Sequence, residues 1–200
     1  MILTLCFLAS FTLGAIPTAF LVAKKARGID IRKEGSGNVG ATNAFRVLGK
    51  KYGAFVFLVD FLKGALPAWI MLNLFSADPQ APLLALAAGI AAILGHIFTP
   101  FLGFKGGKGV ATGAGALCGS FPLLFLCAAL VWLLVFLCTK IVSLSSLLAL
   151  GILVPLSFWL VEDRRTTLVF FALFLLIAWS HRANLVRLWR GEEHSFAKKN

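Results

Sequence analysis

Long apolar runs, each closed by charge, constrain this chain more than any other feature. A helix needs about 20 apolar residues to cross roughly 30 Å of hydrocarbon. Runs of that order recur at Met1–Ala23, Tyr52–Phe75, Pro82–Phe104, Ile141–Val161 and Thr166–Ser180. The first is stopped by Lys24-Lys25; it is too long for a signal-peptide core and lacks a basic leader, so it reads as a mature helix. Composition agrees: 60% of residues are hydrophobic and 14% charged, where soluble domains sit near 45–50% and about 25%. A soluble enzyme is excluded. So is a disulfide scaffold, because Cys6, Cys118, Cys127 and Cys138 lie inside apolar stretches without a CxxC pair and read as small buried hydrophobes.

One stretch resists simple counting. Val110–Cys138 would make a helix of about 44 Å at 1.5 Å per residue, too long for one crossing and too short for two. Its beginning, VATGAGALCG, is small; its end, LLFLCAALVWLLVFLC, is bulky; Ser120-Phe121-Pro122 separates them. A short tilted helix packed through small residues, followed by a full span, fits this composition. The positive-inside rule then sets the sidedness. Lys24, Lys25, Arg27, Arg32, Lys33, Arg46, Lys50 and Lys51 share one loop, which is expected in the cytoplasm. Counting seven helices, one of them short, puts Lys105, Lys108, Lys140 and the basic tail Arg182–Lys199 on that same face and leaves only Arg164 and Arg165 outside. The expected fold is therefore an all-α integral membrane protein with seven transmembrane helices, N-terminus outside and C-terminus cytoplasmic. It forms a single polytopic domain over residues 1–200. Five spans plus a re-entrant hairpin give the same sidedness.

The polar motifs gather on the cytoplasmic face. The first is Glu34-Gly-Ser-Gly-Asn-Val-Gly-Ala-Thr-Asn-Ala-Phe-Arg46. Its glycines let successive N–H groups converge as an anion nest, and Thr42 or Asn43 is placed to cap a helix running to about Lys51, with Arg46 in its first turn. Gly35, Gly37 and Gly40 also spell a dinucleotide fingerprint, with Asp60 at a fitting distance; no strand precedes them and Asp60 sits in an apolar run, so that reading fails. The second motif runs from Gly95-His96 to Phe101-Leu-Gly-Phe-Lys-Gly-Gly-Lys-Gly-Val-Ala-Thr112, with Lys105 and Lys108 around two glycines. It lacks Walker spacing yet reads as a phosphate cradle. The third is His181-Arg-Ala-Asn-Leu-Val-Arg187, with Glu192 and Glu193 beyond; His181 and Asn184, and Asn184 and Arg187, are i,i+3 neighbours. Asp60 and Lys63 share that spacing and read as an intramembrane ion pair.

In series, GSGNVGATNAFR, GHIFTPFLGFKGGKGVAT and HRANLVRLWRGEE make the chain resemble the bacterial acyl-phosphate-dependent glycerol-3-phosphate acyltransferases (PlsY-type) over essentially its whole length. The resemblance implies transfer of a fatty acyl group from acyl phosphate to the sn-1 hydroxyl of glycerol 3-phosphate, giving lysophosphatidic acid and phosphate. It implies catalytic roles for Ser36, Arg46, Lys105, His181 and Asn184. Phosphate or substrate binding is expected from Gly37, Asn38, Gly40, Thr42, Asn43, His96, Gly106, Gly107, Lys108 and Ser143, and structural support from Asp60, Lys63 and Glu193. The partners expected are the two substrates and membrane lipid, with no nucleic acid, and a monomer suffices. The setting expected is the bacterial cytoplasmic (inner) membrane, crossed several times, with the site facing the cytoplasm.

No cofactor or metal is expected, since eight scattered carboxylates form no cluster. The H-x-x-x-x-D pair of soluble-type glycerolipid acyltransferases is also absent: residue +5 from each histidine is Phe101, Val186 or Lys199. His181, or a bound phosphate, is the candidate proton acceptor. An anion channel or transporter is the competing class, since glycine-broken helices and intramembrane charge suit it. Against it, no inverted repeat is visible and the polar motifs occupy one face only.

Overall fold

The computed structural model describes residues 1–196. Lys198 and Lys199 of the basic tail lie outside the described residues. Every regular element among those described is helical, and the chain forms two compact units, Met1–Pro122 and a second beginning at Leu123.

The first unit opens with α1 (Ile2–Ala15) and α2 (Thr18–Arg27). The sequence predicts one helix over Met1–Ala23; the structure breaks it at Ile16-Pro17. Proline has no N–H to donate and forces its predecessor out of the helical region, and Ile16 is extended at φ −60, ψ 116. The carbonyls orphaned by the break find partners inside the unit. Thr99 Oγ1 donates to the Ala15 carbonyl (2.5 Å) and Lys63 Nζ to the Ile16 carbonyl (2.5 Å). Beyond Lys24-Lys25, α2 continues to Gly28, whose φ of 69 ends it in the left-handed conformation.

α3 (Ala41–Leu48), α4 (Lys50–Leu74), α5 (Ala81–Ile97) and α6 (Val110–Ser120) complete this unit. The expected ion pair is present on α4: Lys63 Nζ donates to Asp60 Oδ1 at 2.8 Å, Thr18 Oγ1 donates to the same oxygen at 2.8 Å, and Lys63 Nζ also meets Thr18 Oγ1. α6 has only 11 residues, about 16 Å, roughly half a bilayer. Its small residues let it lie directly on α4. A Cβ at Gly64 would sit 1.9 Å from the Thr112 carbonyl oxygen, and one at Gly115 would sit 1.9 Å from that of Phe61. Such close backbone approach is how helices pack where no hydrophobic drive separates them from lipid.

The second unit holds α7 (Pro122–Thr139), α8 (Val142–Gly151), α9 (Leu153–Leu160), α10 (Arg164–Ser180) and α11 (Arg182–Trp189). The division of Val110–Cys138 into a short helix and a long one falls at Phe121, as its composition predicts. Ile141–Val161, expected as one helix, is offset at Ile152 into α8 and α9. Asp163 caps α10 by accepting from Arg165 N at 3.1 Å. At His181 the chain bends by 68° into α11. Among the described residues, five segments are long and apolar enough to cross a membrane (residues 2–27, 50–74, 81–102, 122–139 and 142–160), and α10 with α11 makes a sixth if the bent pair is one span.

Candidate active site

Within the first unit, Ser36 stands exposed on the glycine loop and is held from beneath. Gly35 and Gly37 take φ of 58 and 72, a region costly for other residues. Asn43 is fully buried and ties the loop down: its Oδ1 accepts from Ser36 N (2.9 Å), and its Nδ2 donates to the carbonyls of Glu34 (3.0 Å) and Ile31 (3.3 Å). The expectation that Thr42 or Asn43 caps α3 is therefore corrected. The cap position is Gly40, no side chain caps the helix, and α3 ends at Leu48, before Lys50 opens α4. Arg46 accordingly lies in the last turn of α3, not the first. Arg27 closes that end, donating to the carbonyls of Val47 (2.6 Å) and Leu48 (3.2 Å). Gly37, Asn38 and Thr42 are partly buried.

The lysine loop departs from a simple two-glycine cradle. Gly106 N donates to the Ile97 carbonyl (2.9 Å) and Gly107 N to that of His96 (3.0 Å), so both amides cap the C-terminus of α5. Around these glycines stand Lys105, which is exposed, Lys108, which is half-buried, and the first turn of α6 beyond Gly109. His96, expected among the substrate-binding residues, packs inside the unit. It is buried, its Nδ1 lies 3.9 Å from Asp60 Oδ1, and its Nε2 lies 2.0 Å from where a Cβ at Gly107 would be. The imidazole thus fills the space that a glycine leaves and seats the loop against α5. Thr112 Oγ1 is fully buried in the first turn of α6 and has no hydrogen-bond partner among the described residues.

Within the second unit, one carboxylate gathers the donors. Glu193 accepts from Asn184 Nδ2 (2.6 Å), Arg187 Nε (2.9 Å) and Ser143 Oγ (3.0 Å). Burial pushes its carboxyl group upward, but the hydrogen bonds from Asn184, Arg187 and Ser143 together outweigh this and hold it below the usual carboxylate range. The tail closes further on the α7–α8 turn, where Phe196 N donates to the Lys140 carbonyl (2.9 Å) and the Phe196 ring packs edge-on to Phe136. His181, buried at the α10–α11 bend, places Nδ1 2.8 Å from the Ile177 carbonyl. That contact requires the proton on Nδ1, so a neutral ring carries its lone pair on Nε2.

The structure thus brings together Ser36 with Asn43, Asp60 with Lys63 and His96, and Ser143 with Asn184 and Glu193. Sequence reasoning passed over Arg27, Thr18, Thr99 and Arg187 as organisers. Arg187 alone had a legible signal, its i,i+3 spacing from Asn184. Among the described residues no group of three or more His, Cys, Asp or Glu side chains is arranged to hold a metal ion.

The family profile described as "Glycerol-3-phosphate acyltransferase" matches residues 4–191. A glycerol-3-phosphate acyltransferase of Myxococcus xanthus is 43% identical over 189 residues, covering 94% of this chain and 97% of the relative. Two crystal structures of PlsY (YgiH), an integral membrane glycerol 3-phosphate acyltransferase, superpose on the fold. Its glycerol 3-phosphate form has a TM-score of 0.91 at 40% identity, covering 98% of this chain and 96% of that one. Its lysophosphatidic acid form has a TM-score of 0.88 at 39% identity over the same shares. By profile, sequence and fold together, the chain belongs to the glycerol-3-phosphate acyltransferase family.

Proposed function

We propose that this membrane acyltransferase uses acyl phosphate as its donor. It moves the fatty acyl group to the sn-1 hydroxyl of glycerol 3-phosphate and releases lysophosphatidic acid and inorganic phosphate. The observation that carries the reading is the likeness to the glycerol 3-phosphate form of PlsY across 98% of the chain, with Ser36, Arg46, Lys105, His181 and Asn184 standing in the motifs that define the resemblance. The lysophosphatidic acid form of that protein supports the product.

In the reaction, the glycerol hydroxyl oxygen attacks the acyl carbonyl carbon. A C–O bond forms, the bond from that carbon to the phosphate oxygen breaks, and the electron pair leaves with phosphate. A mixed anhydride already has a good leaving group, so no acyl-enzyme on Ser36 is required. Holding the hydroxyl against the carbonyl could contribute about 7–11 kcal/mol. Donors aimed at the developing oxyanion could contribute about 3–4 kcal/mol. Arg46, Lys105, Lys108 and the first amides of α6 are the cationic and dipolar groups for two phosphates. Ser36 Oγ and Asn184 orient, while Asn43 and His96 act by shaping the loops.

We further propose one polytopic domain of seven membrane helices, α6 being the short one, in the bacterial inner membrane with the N-terminus outside and the site facing the cytoplasm. The lysine and arginine distribution supports this sidedness. A cysteine placed at Arg164 tests it, since labelling only from the cytoplasmic side would remove the seven-helix count.

Purified protein given acyl phosphate and labelled glycerol 3-phosphate is expected to form lysophosphatidic acid, and acyl-CoA in its place is expected to give none. Folded protein that makes no product from acyl phosphate would sink the donor assignment. His181→Gln decides where the proton goes: near-normal turnover at saturating substrate assigns it to the departing phosphate, whereas loss of kcat assigns it to His181 Nε2.

A further inference from the structure

The bend at His181 turns α11 by 68° out of the line of α10. α10 has 17 residues, about 26 Å, and a cation lies over an aromatic ring at each of its ends. Arg164 sits 4.1 Å over the Phe158 ring, next to Trp159, which is 81% exposed. Arg182 sits 4.5 Å over the Trp179 ring and donates to the Trp179 carbonyl at 3.2 Å. Aromatic rings with arginines at both ends of an apolar helix mark the two membrane–water interfaces. α11 therefore starts in the headgroup layer and runs aslant to the span. With 3.6 residues per turn, its side chains divide into two faces. Asn184, Arg187 and Leu188 form the inner one, where Asn184 and Arg187 donate to Glu193. Arg182, Ala183, Leu185, Val186, Trp189 and Arg190 form the outer one, and all six are exposed, Trp189 by 88%.

We infer that the outer face of α11 is a docking surface for anionic lipid of the surrounding bilayer, and that lipid seated there holds Asn184, on the opposite face of the same helix, in its working position. The inference rests on α10 being a membrane helix, as the seven-helix reading has it, and adds a lipid that sets activity without being a substrate. Chemistry selects the occupant. Leu185, Val186 and Trp189 make an apolar stripe that suits the boundary between headgroups and acyl chains. Arg182 and Arg190 flank the stripe, and guanidinium groups pair with phosphate oxygens in a fixed fork. Arg187, the third arginine of the helix, is already bonded to Glu193. Two carboxylates follow the helix: Glu193 is held inward by its three donors, and Glu192 is exposed past the end. Two exposed cations against one exposed carboxylate leave the face positive. A zwitterionic headgroup brings its own ammonium and gains little there. An acidic soluble protein matches the arginines but not the apolar stripe between them.

Each arginine beside an anionic surface is worth roughly a factor of five in affinity. In phosphatidylcholine discs, the tryptophan emission that Trp189→Phe removes is expected to be quenched by brominated phosphatidylglycerol in preference to brominated phosphatidylcholine. Arg190→Gln should reduce that preference about fivefold. Arg182→Gln together with Arg190→Gln should abolish it, and Glu192→Gln should raise it. At saturating substrates, kcat of the unaltered protein is expected to rise several-fold when phosphatidylglycerol is added. The double variant should match the unaltered protein in pure phosphatidylcholine and show no such rise. Equal quenching by the two lipids, or a preference that survives loss of both arginines, would overturn the docking surface. Quenching by neither lipid would give the face to a second copy of the chain, and inorganic phosphate raising kcat in pure phosphatidylcholine would give the arginines to a free anion. A quenching preference with an unmoved kcat would overturn the link to Asn184. Quenching needs no turnover, so a wrong donor assignment leaves that arm intact, and labelling of a cysteine at Arg164 tests the span separately.

Discussion

The two compact units solve the same problem, holding polar groups firmly inside a membrane protein, by opposite means. In the first, backbone does the holding. α4 and α6 touch main chain to main chain at Gly64 and Gly115, Gly106 and Gly107 cap α5, and Asn43 bonds to three backbone groups. In the second, α7 is a bulky apolar helix with little buried surface, and order at the polar end comes from one side chain, Glu193. The contrast separates two kinds of rigidity. A backbone-packed contact is intolerant of any added atom, whereas a carboxylate-centred one tolerates bulk nearby and depends on charge.

The sharpest way to break this comparison is to add bulk to both units. Gly115→Leu drives a side chain into the Phe61 carbonyl and is expected to abolish folded protein, beyond the usual 1–3 kcal/mol of overpacking because backbone cannot move aside. Cys138→Leu, on an exposed position of α7, is expected to stay within about 0.5 kcal/mol. Comparable losses for the two by thermal melting in detergent would erase the distinction. Next in size is Glu193→Ala, which strips a shared acceptor from three donors. Hydrogen bonds to a charged group are worth about 1.5–3 kcal/mol each at most, so a large drop in melting temperature and a loss of turnover are expected, partly restored in Glu193→Gln.

Asn43→Ala is expected to cost about 1–3 kcal/mol for the buried backbone groups it leaves unpaired. Because those groups shape the Ser36 loop, kcat should fall further than stability implies. An unchanged kcat would make Asn43 a packing residue only. The pH response follows from Glu193. Its folded value lies below the ordinary carboxylate value, so the stabilisation is fully present above about pH 4.5 and is lost as pH falls through the lower folded value. Glu193→Gln should flatten that part of a melting-temperature profile. Smallest of all, Asp163→Ala removes an exposed cap from α10 and should lower melting only slightly.

Much of the architecture was legible because bilayer thickness fixes a length, and composition alone divides residues 110–138 at Phe121. Breaks inside apolar runs were harder to read. Pro17 ends α1, yet Pro67 passes through α4 without ending it, and the difference lies in partners distant in sequence: Thr99 and Lys63 receive the orphaned carbonyls of the first break. The same holds at the candidate site. Spacing singled out Ser36, Asn43, His96, Gly106, Gly107, Lys105 and Asn184 alike, but could not show that Asn43 bonds three backbone groups or that the Gly106 and Gly107 amides cap α5. Glycine amides look alike until the acceptor is known.

The buried ion pair also has a consequence for assembly. A lone lysine or aspartate near the middle of an inserting helix costs about 2.5–3.5 kcal/mol, and α4 carries one of each. Their outside partners, the Ile16 carbonyl and the Thr18 hydroxyl, are translated more than forty residues earlier. The acceptor is thus already in the bilayer when the charges arrive, and chain order itself lowers the barrier to insertion. A rearranged gene encoding α1 and α2 after α4 should yield the same residues and far less inserted protein.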